Sequence, residues 1–228
     1  MIKYVFLDLD DTVLDFHKAE EVAIQKTLRH FGVTPTEKTV ARYSAINQAQ
    51  WKLLEQGKLT RAEVKLRRFS LLFEELGVQI DAEAARTFYE EALSHGHYFI
   101  AGAEQLLQDL CKDYALYIAS NGTTAVQNGR IASAGIAHYF EEIFLSEQIG
   151  AVKPTKAFFD HCFARIPQFD RHEAIILGDS LTSDIQGGIH AGIKTCWFNP
   201  KGECAGGEVR PDFEISALEE FLPLLKSL

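Results

Sequence analysis

Apolar residues recur along this chain in two different rhythms. The stretch from Lys3 to Leu9 is a short apolar run rich in β-branched and aromatic residues, broken off by the turn-forming Asp8-Leu9-Asp10-Asp11-Thr12. Such a run predicts a buried strand. From Phe16 to His95 the apolar positions instead return at helical spacing, and start and stop signals punctuate them. Thr34-Pro35-Thr36-Glu37 and Thr60-Arg61-Ala62-Glu63 both match a capping box, the first with proline at N1, while Gly77 and Gly96 stand where helix C-caps belong. The signals predict four helices near 16–31, 36–56, 61–76 and 82–95, with no strand among them. This is a helical insertion.

After Gly102 the rhythm becomes helix, strand, helix, strand, with strands expected at Ala115–Ser120, Ile143–Ser146, Ala174–Leu177, Thr195–Phe198 and Phe213–Ile215. Alternation of this kind builds a parallel sheet covered on both faces. The expected fold is therefore α/β, a Rossmann-like parallel sheet core formed by residues 1–15 and 97–228, with a four-helix domain over 16–96. Ser216-Ala217-Leu218-Glu219 reads as a further capping box, opening a last helix that runs to about Lys226. Pro200 to Pro211, Gly-rich and charged, reads as a surface loop without chemistry.

The 228 residues suit one core domain plus a sizeable insertion, and 46% hydrophobic with 24% charged residues is ordinary for a globular enzyme. The formal charge of −9 repels polyanions and lacks the basic footprint that nucleic-acid binding requires. An anionic substrate must then be met locally, by a cation or by aimed amides. The first residues carry too short an apolar run for a signal peptide, and no stretch approaches the roughly 20 apolar residues of a membrane span. The expectation is a cytoplasmic protein with neither nucleic acid nor membrane as partner. Cys111, Cys162, Cys196 and Cys204 show no C-x-x-C spacing and sit mostly in apolar segments, which favours buried reduced thiols over a disulfide frame or zinc site.

Ligands of open α/β sheets bind outside the carboxyl ends of the strands, so the residues that follow each expected strand belong together. They are Asp8 and Asp10, then Ser120-Asn121-Gly122, then Lys153-Pro154, then Gly178-Asp179-Ser180 with Asp184 beyond. Four aspartates in one crevice would repel one another, and a hard divalent cation resolves the repulsion; oxygen-only donors without His or Cys suit Mg²⁺. The competing reading makes these aspartates ordinary turn and cap residues. That reading is preferred for Asp11 and Asp15. It is rejected for Asp8, which ends an apolar strand where serine or asparagine would serve a turn equally well. Two carboxylates two residues apart can serve one reacting centre as nucleophile and proton donor. Ser120-Asn121-Gly122 before a helix starting near Thr124 suits a phosphate cradle, although an ordinary N-cap turn looks similar. Lys153 supplies a point positive charge.

In order and spacing, Asp8-Leu9-Asp10-Asp11-Thr12-Val13, Ser120-Asn121-Gly122, Lys153-Pro154 and Gly178-Asp179-Ser180 with Asp184-Ile185-Gln186-Gly187-Gly188 closely resemble the four motifs of the haloacid dehalogenase-like hydrolase superfamily. The helical segment resembles the C1-type cap of that superfamily's first subclass. Asn47-Gln48-Ala49-Gln50-Trp51, continuing through Gln56-Gly57 and Thr60 to Arg68-Phe69, further resembles the cap of the YjjG-type pyrimidine nucleotidases. The resemblance implies that Asp8 forms an aspartyl-phosphate and that Asp10 first protonates the leaving oxygen, then takes a proton from the hydrolytic water. It also implies that Ser120 and the Asn121 amide bind phosphoryl oxygens, that Lys153 neutralises phosphate and nucleophile, and that Mg²⁺ is held by Asp8, the Asp10 carbonyl and Asp179, with Asp184 orienting a metal-bound water. An acid at position 10 implies phosphatase over dehalogenase chemistry.

A cap would carry specificity. Most aromatics of the insertion must pack its own interior, and Phe16 and Trp51 are the preferred candidates for stacking on a base. The implied substrate is a small phosphorylated metabolite, foremost a pyrimidine nucleoside monophosphate. A sugar-phosphate or phosphoglycolate phosphatase, or a mutase, is the alternative within the fold, and a phospho-accepting signalling domain the alternative outside it. The expected assembly is a monomer or homodimer. His95 and His97 read as structural or solvent-facing.

Overall fold

The computed structural model of the protein describes residues 1–204 and 207–228; Ala205 and Gly206, within the loop expected from Pro200 to Pro211, lie outside the described residues. In chain order the elements are β1 (Tyr4–Leu7), α1 (Phe16–His30), α2 (Glu37–Glu55), α3 (Arg61–Leu76), α4 (Ala82–Ser94), α5 (Ala103–Leu110), β2 (Ala115–Ser120), α6 (Thr124–Ala134), β3 (Glu142–Leu145), α7 (Ser146–Ile149), α8 (Lys156–Arg165), β4 (Ala174–Gly178), α9 (Gln186–Ala191), β5 (Lys194–Phe198), β6 (Phe213–Ile215) and α10 (Phe221–Lys226). They fall into two compact units. One holds Met1–Asp15, Tyr98–Thr124 and Ala134–Leu228, and the other Phe16–His97 with Ala125–Ser133. The sequence reading places 125–133 with the sheet. In the structure this helical stretch groups with the inserted helices, because Val126 joins their buried apolar cluster.

In the sheet unit, six parallel strands run in the order β3-β2-β1-β4-β5-β6, the α/β arrangement expected. Strand β1 is central and apolar enough to be buried on both faces, with Val5, Phe6 and Leu7 all fully buried. The chain builds outward from it on one side through β2 and β3, then returns to its other side at β4. That reversal makes a topological switch point, where the loops leaving adjacent strands part and open a crevice. Register brings the strand ends level, since Leu7 pairs with both Ile118 and Leu177. One core cluster packs Phe6, Tyr117 and Phe144 of the sheet against Phe158, Phe159 and Phe163 of α8.

In the helical unit, Tyr43, Phe69, Leu72, Ala85 and Tyr89 are fully buried, so most of its aromatics are indeed core. Thr60 and Glu63 close the expected capping box over α3, each side chain reaching the other's backbone, and Gly77 ends that helix at φ 65°. Three cap expectations need correction. For α2 the capping side chain is Thr36, which accepts from the Thr39 N–H at 3.1 Å, so Pro35 and Thr34 lie outside the helix. Gly96 is not a left-handed cap; α4 ends at Ser94, and a Cβ on Gly96 would lie 2.7 Å from that of Ala19. The residue is glycine because α1 approaches there. At the C-terminus Glu220, not Glu219, reaches back to the Ser216 hydroxyl and the Ala217 N–H, each at 2.8 Å. A 3₁₀ turn over Leu218–Glu220 rotates position 220 into the capping place.

Of the cysteines, Cys162 and Cys196 are buried, whereas Cys111 and Cys204 are exposed, contrary to the expectation of general burial; all four are free thiols. His97 bonds Ser133 through Nδ1 at 2.6 Å and is exposed. Among the described residues no helix is long and apolar enough to cross a membrane.

Candidate active site

Hydrogen bonding of β1 to its neighbours stops at its carboxyl end, where the Asp8 N–H still donates to the Leu177 carbonyl at 2.9 Å. That bond fixes the Asp8 backbone while its side chain leaves the sheet. The loop beyond folds back on itself: Leu14 donates to the Leu9 carbonyl at 2.8 Å, and Asp11 donates to the Leu14 carbonyl at 2.8 Å. Asp11 adopts φ 58°, a left-handed conformation that aspartate tolerates better than most residues, in keeping with its reading as a turn former. Asp10, one residue earlier, is partly buried and bridges to Leu14 through its backbone.

Lys153 reaches this strand end from the loop before α8. Its ammonium donates to Asp8 Oδ1 at 2.6 Å, to Asp184 Oδ1 at 2.5 Å and to the carbonyl of Ala119 in β2 at 2.5 Å. Three donors meet three acceptors, so the full donor capacity of a lysine is used although only 1% of its side chain is exposed. Burial alone would lower this ammonium's pKa, but Asp184 and Asp8 outweigh it and hold the group firmly charged. The backbone of Lys153 is clamped as well. The Asn121 carboxamide donates to its carbonyl at 3.0 Å and accepts from its N–H at 2.9 Å. Ser120 Oγ accepts the Gly122 N–H at 3.1 Å, shaping the turn that leads into α6.

Asp179 and Asp184 come from the end of β4. Leu181–Ile185 form a single π-helical turn, which swings Asp184 back toward the strand. There its second oxygen accepts the Ser180 N–H at 3.0 Å. Gly178 is required by this return, because a Cβ at that position would collide with the Asp184 carboxylate. The result is that Asp8, Asp179 and Asp184 each offer a carboxylate oxygen within 4.8 Å of the others. Desolvation, the largest effect, pushes the Asp8 carboxyl up to about 8; Lys153 opposes this, and Asp184 and Asp10 add to it. Desolvation likewise raises Asp179 well above the ordinary carboxylate range, with Asp184 and Asp8 reinforcing it. One lysine cannot balance three clustered carboxylates. The donor set of oxygens alone fits a small hard dication such as Mg²⁺, which would relieve both the desolvation and the repulsion.

The expected site residues of the sheet unit, Asp8, Asp10, Ser120, Asn121, Lys153, Asp179 and Asp184, thus sit at or beside the carboxyl ends of β1, β2 and β4. Phe16 and Trp51 belong to the helical unit. There the guanidinium of Arg130 lies 5.7 Å from the Phe16 ring centre, and that of Arg61 lies 5.4 Å from the Trp51 ring. The Trp51 indole N–H donates to Asn47 Oδ1 at 3.1 Å, and Asn47 in turn donates to buried Glu20 at 2.7 Å. Sequence reasoning missed two contacts to Asp179. Its N–H donates to Thr12 Oγ1 at 3.1 Å, and its carbonyl accepts from the Trp197 indole at 2.7 Å. Thr12 lies inside the acidic motif and could have been suspected. Trp197 gives no local signal, and only the pairing of Gly178 with Trp197 brings it there.

Comparison with known proteins shows the family. The family model of the haloacid dehalogenase-like hydrolases matches residues 5–198. The chain is 40% identical to the HAD-hydrolase YfnB of Bacillus subtilis, and a crystal structure of that protein bound to magnesium superposes with a TM-score of 0.94, covering 98% of each chain. It is 38% identical to the pyrimidine 5'-nucleotidase PynA of Streptococcus pneumoniae over 98% of this chain and 94% of that one. It is 29% identical to the pyrimidine 5'-nucleotidase YjjG of Escherichia coli over 97% of both. The chain belongs to the haloacid dehalogenase-like hydrolases and is an enzyme of that family.

Proposed function

We propose that this haloacid dehalogenase-like hydrolase is a Mg²⁺-dependent phosphatase, a 5'-nucleotidase acting on pyrimidine nucleoside monophosphates through an aspartyl-phosphate on Asp8. The observation that carries the reading is the buried pair of Asp8 and Lys153 at the end of the central strand, with Asp10 two residues further on. The names of the relatives PynA and YjjG support the substrate class.

Phosphoryl transfer asks mainly for alignment and charge neutralisation, because an anionic nucleophile must approach an anionic phosphate. In this reading an oxygen of Asp8 bonds to phosphorus as the bond from phosphorus to the ester oxygen breaks, and Asp10 delivers its proton to that departing oxygen. Asp10, now a carboxylate, takes a proton from water as the water oxygen bonds to phosphorus, and the bond to Asp8 breaks. Inorganic phosphate leaves, with Asp8 regenerated and Asp10 again protonated. Lys153 neutralises Asp8 and the transferring group throughout. Ser120 and the backbone N–H of Asn121 bind phosphoryl oxygens at the turn before α6. The side chains of Asp8 and Asp179, with the Asp10 carbonyl, would hold Mg²⁺, and Asp184 beside them would orient a water on it. A bound ion would supply positive charge that offsets the carboxylates and the transferring phosphoryl group. Base preference is assigned to Phe16 and Trp51.

The test is phosphate release from a panel of nucleoside monophosphates, sugar phosphates and phosphoglycolate, with Mg²⁺ and with EDTA. The expected result is Mg²⁺-dependent turnover that favours UMP, dUMP and dTMP over purine nucleotides and sugar phosphates. Asp8→Asn should lower turnover by at least about 10³-fold, as loss of a nucleophile does. A preference for sugar phosphates would overturn the nucleotidase reading, and hydrolysis unaffected by EDTA would overturn the metal.

A further inference from the structure

We infer that Trp197 and Thr12 are positioning residues for Asp179, holding the peptide groups on both sides of its Cα and so setting how tightly the carboxylate trio binds a divalent cation. The inference rests on the metal site proposed above and concerns two side chains that would not touch the ion.

Strand β4 ends at Gly178, so ladder hydrogen bonding no longer constrains the residue that follows. Asp179 is only partly buried, and without other partners its backbone could turn its carboxylate away from Asp8 and Asp184. Two side chains from different parts of the sheet unit prevent this. Thr12 Oγ1 accepts the Asp179 N–H at 3.1 Å, and the Trp197 indole N–H donates to the Asp179 carbonyl at 2.7 Å. The first bond fixes the peptide before the Cα and the second the peptide after it. What remains free is the rotation of a two-bond side chain.

Both partners are packed in the interior. Thr12 is fully buried and Trp197 is 3% exposed, and Trp197 is anchored in β5, whose register sets it beside Gly178. Thr12 sits in the loop that also carries Asp8 and Asp10, so its bond ties the ligand after β4 to the ligands after β1 across 167 residues of sequence. A buried tryptophan generally finds some acceptor for its N–H, so the bond by itself could serve packing alone. The metal-binding role gains its weight from the acceptor's being the main chain of a trio member, with a second side chain on the same residue's N–H.

Hydrogen bonds that orient a ligand typically change metal affinity by about 10–100-fold when removed. The test uses Trp197→Phe, which keeps an aromatic ring without the N–H, and Thr12→Val, which keeps the shape without the hydroxyl. Mg²⁺ binding to the full-length, metal-free protein is measured by isothermal titration calorimetry, beside its thermal midpoint in EDTA. Each variant is expected to raise the Kd for Mg²⁺ by about 10-fold or more, and Thr12→Ser should restore the wild-type value. A merely structural role would lower the thermal midpoint and leave the Kd unchanged, and that result would overturn the inference. The two variants decide independently, so one that failed to fold would leave the other to decide. Wild-type protein that bound no Mg²⁺ would instead overturn the metal reading itself.

Discussion

The ammonium of Lys153 lies 2.6 Å from an oxygen of Asp8, although 145 residues separate the two in sequence. The pair is buried, and the same ammonium holds Asp184. Removing one partner from such a cluster costs more than the pair is worth, because the remaining charges stay desolvated. Lys153→Met is therefore expected to destabilise the metal-free protein by about 3–5 kcal/mol. Urea denaturation in EDTA measures this. Inhibition by inorganic phosphate should weaken in parallel, since the cation beside the proposed phosphoryl site is gone; unchanged inhibition would contradict that role.

Asn121 acts on Lys153 through the main chain. Its carboxamide makes two hydrogen bonds to the lysine's own peptide groups, at 2.9 Å and 3.0 Å. Asn121→Ala should lower stability by about 1–3 kcal/mol, two hydrogen bonds' worth. Because the lysine would then be less well placed, kcat should fall more than the substrate's KM rises. Steady-state kinetics with the phosphomonoester that the substrate panel favours would show the split.

The raised pKa of Asp8, which burial causes first, predicts how stability depends on pH without metal. Its ordinary value is 3.8 and in the fold it rises to about 8, so the fold favours the neutral carboxyl. The stability from this group is fully present below about 3.8 and is lost as the pH climbs toward about 8. Thermal midpoints recorded in EDTA across that window should fall with rising pH. The decline should be shallower in Asp8→Asn and shallower again in wild-type protein with Mg²⁺, where ionised carboxylates gain a partner. A midpoint that rose through the window would refute the assignment.

Within the helical unit, Gly96→Ala tests a close approach. The added Cβ would meet the Ala19 Cβ at 2.7 Å and the Leu93 carbonyl oxygen at 3.2 Å. Overpacking of this kind costs about 1–3 kcal/mol. Chemical denaturation is the measurement, and a neutral or stabilising outcome would mean that α1 yields without strain.

The amino-acid sequence alone determined most of the elements and which polar residues stand at the strand ends. Strand β2 and helix α3 lie where periodicity and the Thr60–Glu63 box set them, because those signals act between residues a few positions apart. Asp8, Ser120 and Asp179 were legible as strand-end residues for the same reason. Local pattern failed where the partner is distant. Gly96 looked like a cap and is a contact with α1, and residues 125–133 looked like part of the sheet layer and pack with the inserted helices. Only the tertiary structure decided that one lysine would join Asp8 to Asp184, that Asn121 would clamp that lysine, and that Trp197 would hold Asp179. These contacts depend on strand order and register, which arise from burying the whole sheet at once and leave no periodic trace in any single stretch of chain.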